Sequence, residues 1–110
     1  MRHAILAAAL LVPPVVNAAS FDCARARLAD ERAICADRAL NDQDVRMEVL
    51  LSVNGRFHLM GANGAMHDDQ RAWLAERHGC GANRACLARA YKARIDQLNT
   101  GVDAVSQRMR

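Results

Sequence analysis

The sequence contains few aromatic residues and no stretch in which apolar and polar residues alternate. Aromatic residues make up only 4% of the 110 residues, and the β-branched residues that favour strands are sparse. Alternation is the pattern expected of a strand with one buried face. Alanine and arginine are abundant instead, so we expect an all-α fold.

The chain also lacks a block of basic residues. Its formal net charge is +3, and acidic and basic side chains are mixed along its whole length. Proteins that bind nucleic acid through electrostatic attraction concentrate their lysines and arginines in one run or on one face. The charge pattern therefore gives little support to a nucleic-acid partner.

No apolar run is long enough to span a membrane. The main one, residues 4–12, is shorter than a transmembrane helix and has the length of a signal-peptide core. It follows Arg2 and is broken by Pro13 and Pro14, whereas a buried N-terminal helix would not contain two successive prolines. We expect the N-terminus to be an export signal.

The predicted cleavage site follows Ala18, where residues 16–18 give a small-x-small pattern, and Ala19 is the near alternative. Residues 1–18 would then be the signal peptide and residues 19–110 a single domain. Cys23 is not preceded by the small residues of a lipoprotein signal. We therefore predict a periplasmic or secreted protein without a membrane anchor.

The four cysteines do not have the spacing of a redox or zinc site. Cys23 and Cys35 have eleven residues between them, and Cys80 and Cys86 have five, so both C-x-x-C and the tight zinc knuckle are missing. Export favours two disulfides, for which three pairings exist. We favour Cys23 with Cys35 and Cys80 with Cys86, since each pair lies in one local unit. His78, near Cys80, keeps zinc as a weaker alternative; no metal or cofactor is expected.

Apolar residues at three- to four-residue intervals predict amphipathic helices. The first helix is expected over about residues 28–36, and Asp37 is expected to cap a second helix that begins at Arg38. The glycine-rich residues 61–64 are expected to end or turn this helix. Its apolar positions are Leu40, Met47, Leu50, Leu51 and Phe57.

A third helix is expected to begin near Asp68 or Asp69 and to stop at Gly79 or Gly81. Asn83 would cap a fourth helix. We therefore predict a small, disulfide-clamped bundle of about four helices, mainly two longer arms in an antiparallel arrangement. The apolar positions of the fourth helix are Leu87, Tyr91, Ile95, Leu98, Val102, Val105 and Met109.

The polar residues do not form a recognisable catalytic motif. Acid–base catalysis needs two carboxylates in unlike environments, usually in a cleft, and no nucleophile elbow or phosphate loop is present. We expect no enzyme activity, and we expect His58, His67 and His78 to be solvated rather than a metal set or pH switch. Helix-start or surface positions are predicted for the carboxylates Glu31, Asp37, Asp42, Asp44, Asp68, Asp69 and Glu76.

Trp73, the only tryptophan, has two interpretations. With nearby arginines it fits an interface anchor, but a small domain short of aromatics needs it in the core. We favour the core for Trp73 and Tyr91, together with Ile34 and Leu87.

Residues 20–44 and 70–98 resemble the LprI family of lysozyme inhibitors. The first segment matches F-D-C-x-x-A, E-x-A-I-C-A-D and L-x-x-x-D, and the second matches Q-R-x-W-L-x-x-R-x-x-C, C-L and Y-x-x-R-I-x-x-L. The resemblance implies a small exported helical domain with a protein partner, a lysozyme. The matching polar residues are Asp22, Asp37, Asp44, Gln70, Arg71, Arg77 and Arg94.

Two functional hypotheses follow. The first is lysozyme inhibition, and the second is a periplasmic interaction or envelope-maintenance module without that activity. Without Arg2 the chain has 14 basic and 12 acidic residues, a net charge of +2, which would not steer it toward a cationic lysozyme. An inhibitor would need a local acidic patch, for which Asp42, Asp44, Asp68 and Asp69 are the candidates.

Overall fold

The computed structural model describes the backbone of residues 20–57 and 60–110, and the side chains of residues 20–57 and 64–110. The predicted signal peptide and His58 lie outside these residues. A short 3-10 helix, Cys23–Arg25, precedes four α-helices: α1 (Ala29–Ala36), α2 (Arg38–Phe57), α3 (Met60–Gly79) and α4 (Arg84–Arg108). The described residues contain no strand, so the all-α prediction is confirmed.

The helix ends follow local sequence signals. Asp37 Oδ1 accepts a hydrogen bond from the Leu40 amide (3.2 Å), and Asn83 Oδ1 accepts one from the Cys86 amide (3.0 Å). Each cap satisfies an amide that the helix itself leaves unpaired. Gly81 has φ +56°, a conformation that favours glycine and ends the turn after α3. The predicted caps at Asp37 and Asn83 are confirmed.

The prediction for the middle of the chain is wrong. Residues 61–64 lie inside α3, which begins at Met60, so Asp68 and Asp69 are in the helix interior and do not cap its start. A glycine in a helix costs only about 1 kcal/mol relative to alanine, and each residue added to a helix that has already nucleated gains a backbone hydrogen bond. Phe57, predicted on the apolar face of α2, is 53% exposed.

The bundle contains three long helices rather than two arms. Along α2, Asp44 contacts Tyr91, and Asn54 contacts the backbone of Leu98 further along α4. α2 and α4 therefore run parallel. Gln70 bonds to Met47 of α2 and to Arg94 of α4. Further along α3, Arg77 approaches the earlier Asp44 and Trp73 bonds to the earlier Ala90, so α3 runs antiparallel to both helices.

Close contact between α2 and α4 depends on a glycine. Asn54 Nδ2 donates to the carbonyls of Leu50 (2.8 Å) and Leu98 (3.0 Å). A Cβ atom at position 101 would collide with the Asn54 side chain. Gly101 therefore leaves room for the buried amide that joins the two helices.

Trp73 and Tyr91 lie at the centre of the core. Trp73 is 5% exposed and Tyr91 is fully buried. Their rings meet edge to face, with centroids 5.1 Å apart, and the Trp73 Nε1–H donates to the Ala90 carbonyl (3.0 Å). The structure thus places both in the core, as the sequence favoured. Other buried members are Ala33, Ile34, Leu40, Met47, Leu87, Ile95 and Leu98.

Two disulfides fix the ends of the bundle. Cys23–Cys35 ties the 3-10 helix to the last turn of α1, and Cys80–Cys86 closes the turn between α3 and α4. The local pairing is therefore confirmed. All four sulfurs are used, so a zinc site on these cysteines is wrong. No helix among the described residues is long and apolar enough to cross a membrane.

We expect the Cys80→Ala/Cys86→Ala double variant to lower the free energy of unfolding by about 2–3 kcal/mol, because the bond removes loop-closure entropy from the unfolded chain. Thermal and denaturant unfolding would measure the loss. Each single variant should lose about as much as the double variant, since either one already breaks the bond. A double variant far less stable than both single variants would show that the two thiols are not partners.

Candidate functional site

Each of the four α-helices contributes one side chain to a buried ionic network. Asp30 comes from α1, Asp44 from α2, Arg77 from α3 and Tyr91 from α4, and each is 2% exposed or less. Charges removed from water in this way need partners with good geometry. The network therefore depends on all four helices being in register.

Asp30 is held by two neighbouring residues of α3. Arg77 Nε donates to Asp30 Oδ2 (2.9 Å), and His78 Nδ1 lies 2.7 Å from the same oxygen. Burial alone would raise the pKa of Asp30, but the hydrogen bonds and positive charges of Arg77 and His78 together lower it below its ordinary value. Asp30 is therefore an ionised carboxylate that joins α1 to the end of α3.

Asp44 receives hydrogen bonds from distant parts of the chain. Tyr91 Oη donates to Asp44 Oδ1 (2.8 Å). The Ser20 hydroxyl donates to Oδ1 (2.6 Å) and its amide donates to Oδ2 (3.0 Å). Arg77 Nη1 lies 3.9 Å from Oδ1. Burial and the Asp44 charge raise the pKa of Tyr91, so the phenol stays protonated and acts as a donor.

Arg77 also packs against two aromatic rings. Its guanidinium carbon lies 5.2 Å from the Phe21 ring centroid and 5.8 Å from that of Trp73, within the range of cation–π attraction. Arg77 thus pairs with Asp30, lies close to Asp44 and fills space beside the core. The hydrogen bonds on both carboxylates favour a structural role for the network over acid–base catalysis.

Two sequence predictions about this region need correction. Asp44, assigned to a helix start or to an acidic surface patch, is fully buried. His78, predicted as a solvated loop residue, is solvent-exposed (its side chain is 41% exposed) but lies in the last turn of α3, where it contacts Asp30. Helix formation placed Asp44 on a core-facing position of α2 and brought His78 within contact distance of Asp30.

A positional signal for the buried polar residues was present in the sequence. Asp44 lies four residues after Leu40 and three before Met47, so it shares their face of α2. Arg77 follows Trp73 by four residues, and Arg94 follows Tyr91 by three. A polar residue at a core-facing position of a helix has to find partners on another helix.

The remaining family-matching residues fall into three groups. Asp22 caps the 3-10 helix through the Ala24 amide (2.9 Å), and Asp37 caps α2. Gln70 and Arg94 are buried. Arg71 lies on the surface, where it pairs with Asp68, and such an exposed pair contributes little stability.

Gln70 and Arg94 belong to a second polar cluster between α3 and α4. Arg94 Nε donates to Gln70 Oε1 (2.9 Å), and Arg94 Nη1 donates to Gln97 Oε1 (3.2 Å). Burial lowers the pKa of Arg94, and the Asp69 charge opposes that effect. This cluster borders a cleft of about 500 Å³, named here the α3–α4 cleft.

A second concave surface, of about 350 Å³, lies where α1, α2 and α3 meet. We call it the acidic groove. Its charged lining residues are the carboxylates Glu31 and Glu48 together with Arg77 and His78, which contact Asp30. Burial and the Asp44 charge raise the pKa of Glu48. The apolar residues that line the groove are Phe21, Leu28, Leu51 and Leu74.

Comparison with protein-family models, with curated proteins and with solved structures found no match to this chain. The resemblance to the LprI family therefore stands on the sequence motifs. Among the described residues, no group of three or more histidine, cysteine, aspartate or glutamate side chains is arranged to hold a metal ion.

The low pKa of Asp30 predicts a loss of stability in acid. The unfolded carboxyl titrates near 3.8 and the folded one lower, so the unfolded chain binds the proton first as the pH falls. The contribution of Asp30 is complete above that value and disappears as the pH falls through the folded pKa. We expect Asp30→Asn to remove this part of the pH dependence of the free energy of unfolding.

Urea unfolding at a series of pH values from about 5 down to about 2 would measure this effect. Asp103→Asn, at an exposed position of α4, is the matched control and should keep the parental slope. If Asp30→Asn keeps it as well, the hydrogen bonds from Arg77 and His78 do not lower the pKa of Asp30.

Proposed function

We propose that this chain is an exported protein-binding domain that inhibits a lysozyme. The resemblance of residues 20–44 and 70–98 to the LprI family suggests the activity. The acidic groove is the observation that carries the proposal, because it places two carboxylates among apolar side chains. Such a surface fits an arginine or lysine of a cationic partner, whose stem packs on apolar residues while its charge meets a carboxylate.

Glu48 is the residue that we expect to contact the partner's positive charge. It is partly buried and lies near Asp44, so its negative charge has an unfavourable environment in the free protein. A cation placed in the groove would relieve this repulsion. Leu28, 48% exposed on the rim, provides apolar surface for the stem of the partner's side chain.

The positive net charge of the chain does not prevent this contact. Exposed charges more than a Debye length apart, about 8 Å at physiological salt, are largely screened. At contact distance the nearest charges dominate. Of the charged residues that line the groove, Arg77 and His78 already contact Asp30, so Glu31 and Glu48 are the ones that can meet a partner's cation. The net charge would slow association rather than weaken the complex once formed.

The test is lysozyme turnover on a cell-wall suspension, with the oxidised protein titrated in at low salt and several lysozyme classes assayed. We expect stoichiometric inhibition of one class. Glu48→Lys should weaken inhibition at least tenfold, and Glu48→Gln should weaken it less. Asp103→Lys is the matched control, because it makes the same charge change at an exposed position of α4. Failure of the folded, oxidised protein to inhibit any class would reject the proposal.

An apolar strip on α2 favours the second hypothesis, an envelope-interaction module. Val45 is 41% exposed and Val49 is 56% exposed, and together with Leu50 they line a shallow depression. Exposed apolar side chains grouped in this way fit a docking surface on another protein. Salt separates the two functions, since binding through the acidic groove weakens with added salt and apolar docking through Val49 changes much less.

A further inference from the structure

The α3–α4 cleft lies outside the surfaces considered for protein binding and has the character of a small-molecule site. Its volume is about 500 Å³, within the range of ligand pockets. Trp73 and Asn54 contribute to its walls. The charged side chains that line it are Asp69, Glu76 and Arg94.

Arg94 is the central residue of this cleft. It is only 5% exposed, and its Nη2 has no hydrogen-bond partner among the described residues. A buried donor without a partner costs free energy, and the cost is larger for a charged group. The Nη1–Nη2 edge of a guanidinium matches the two oxygens of a carboxylate. Arg94 is therefore prepared to bind an anionic group that the chain itself does not provide.

Gln97 closes the site in the free protein. Its side chain is exposed, yet its Oε1 accepts from Arg94 Nη1 (3.2 Å). The amide occupies the position that one oxygen of a bound carboxylate would take. A neutral amide bonds to a guanidinium more weakly than a carboxylate does, and Gln97 can rotate into solvent when a carboxylate arrives.

The two acidic residues determine which kind of anion fits. Asp69 and Glu76 line the same cleft from α3, and like charges at short distance disfavour a simple anion. A ligand that also carries an ammonium group turns this repulsion into attraction. We propose that the α3–α4 cleft binds a compound with a carboxylate and an amino group, a free amino acid or a short peptide. The carboxylate is held by Arg94 and the ammonium by Asp69 and Glu76.

Trp73 provides the measurement, since it is the only tryptophan and lines the cleft. Alanine and alanyl-alanine would be titrated into the oxidised protein while Trp73 fluorescence is recorded, with N-acetylalanine and alanine amide as single-charge probes. We expect a saturable change with a zwitterionic probe and at least tenfold weaker binding of the single-charge probes. Tighter binding of alanine would indicate a free amino acid as the ligand, and tighter binding of alanyl-alanine would indicate a short peptide. Equal responses to alanine and N-acetylalanine would overturn the proposal, as would no response to any probe.

Substitutions at Gln97 test the site without removing a buried side chain. Gln97→Glu places a carboxylate of the same size against Arg94, so it should abolish binding and leave the melting temperature equal or higher. Gln97→Ala should strengthen binding by opening the guanidinium edge, whereas Gln107→Ala, an exposed change on the same helix, should have no effect. Binding that persists in Gln97→Glu would overturn the proposal.

Asp69 provides the remaining control. If its carboxylate turned inward and paired with Arg94 in solution, no ligand would be needed. In that case acetate would bind to Asp69→Asn, whereas alanine would bind neither to this variant nor to the parent protein. This result would overturn the proposal. We expect Asp69→Asn to weaken the binding of alanine instead.

Discussion

Replacing Arg77 with methionine is expected to lower the free energy of unfolding by about 3–5 kcal/mol. The substitution leaves Asp30 and Asp44 buried, with the guanidinium that lies between them removed. Breaking a buried ion pair from one side is costly because the remaining charge is neither solvated nor paired. A domain of this size is stable by only about 5–15 kcal/mol, so the variant should unfold at a much lower denaturant concentration.

Denaturant unfolding of Arg77→Met and of Arg71→Met would measure this effect. Arg71 lies on the same helix with its side chain 77% exposed, and its loss should change the stability by less than about 1 kcal/mol. Adding Asp30→Asn to Arg77→Met should restore part of the loss, because it removes one of the two uncompensated charges. Equal stability of the Arg77 and Arg71 variants would contradict the ionic network.

The second large effect is expected at Trp73. Trp73→Ala should cost about 3–5 kcal/mol, because it removes the largest side chain of a small core and leaves a cavity. It also removes the edge-to-face contact with Tyr91 and one ring beside Arg77. Thermal and denaturant unfolding, followed by circular dichroism because the variant has no tryptophan, would measure the loss.

Trp73→Phe separates the two contributions of this residue. Phenylalanine keeps most of the apolar volume but cannot donate to the Ala90 carbonyl, so we expect a smaller cost, about 1–3 kcal/mol. Should Trp73→Ala instead unfold like the parent protein and lose lysozyme inhibition, Trp73 would be an interface anchor and its assignment to the core would be wrong.

Local features of the fold were predictable from the sequence because their signals lie within one or two helical turns. Asp37 and Asn83 cap helices through amides three residues further along the chain. Each disulfide joins cysteines in one local unit. The apolar residues from Leu87 to Leu98 repeat with the period of a helix and lie in the core.

The middle of the chain was mispredicted because local propensity is weak there. Residues 61–64 contain two glycines that favour a turn on their own, and the aspartates at 68 and 69 are common at helix starts. Neither signal is worth more than about 1–2 kcal/mol. Extending a helix that has already nucleated adds one backbone hydrogen bond per residue, and α3 begins at Met60.

The candidate sites were only partly visible in the sequence. The motifs contained Gln70, Arg77 and Arg94, but did not show which of them pair. They also left out Asp30, the main partner of Arg77, and Gln97, a partner of Arg94. Glu48 lies outside all of the motifs. Its position near Asp44 and in the lining of the acidic groove makes it a candidate. The unpaired Nη2 of Arg94 depends on the side chains around it, which only the packed helices define.

The sequence by itself determined the helical class and the caps, favoured the local pairing of the cysteines that the structure shows, and predicted an export signal. The tertiary structure decided which charged residues are buried, because Asp30 meets Arg77 and Asp44 meets Tyr91 across 47 residues of chain in each case. A carboxylate on a helix looks the same in sequence whether it faces water or an arginine of another helix. The difference is in desolvation and pairing, and both depend on how the four helices pack together.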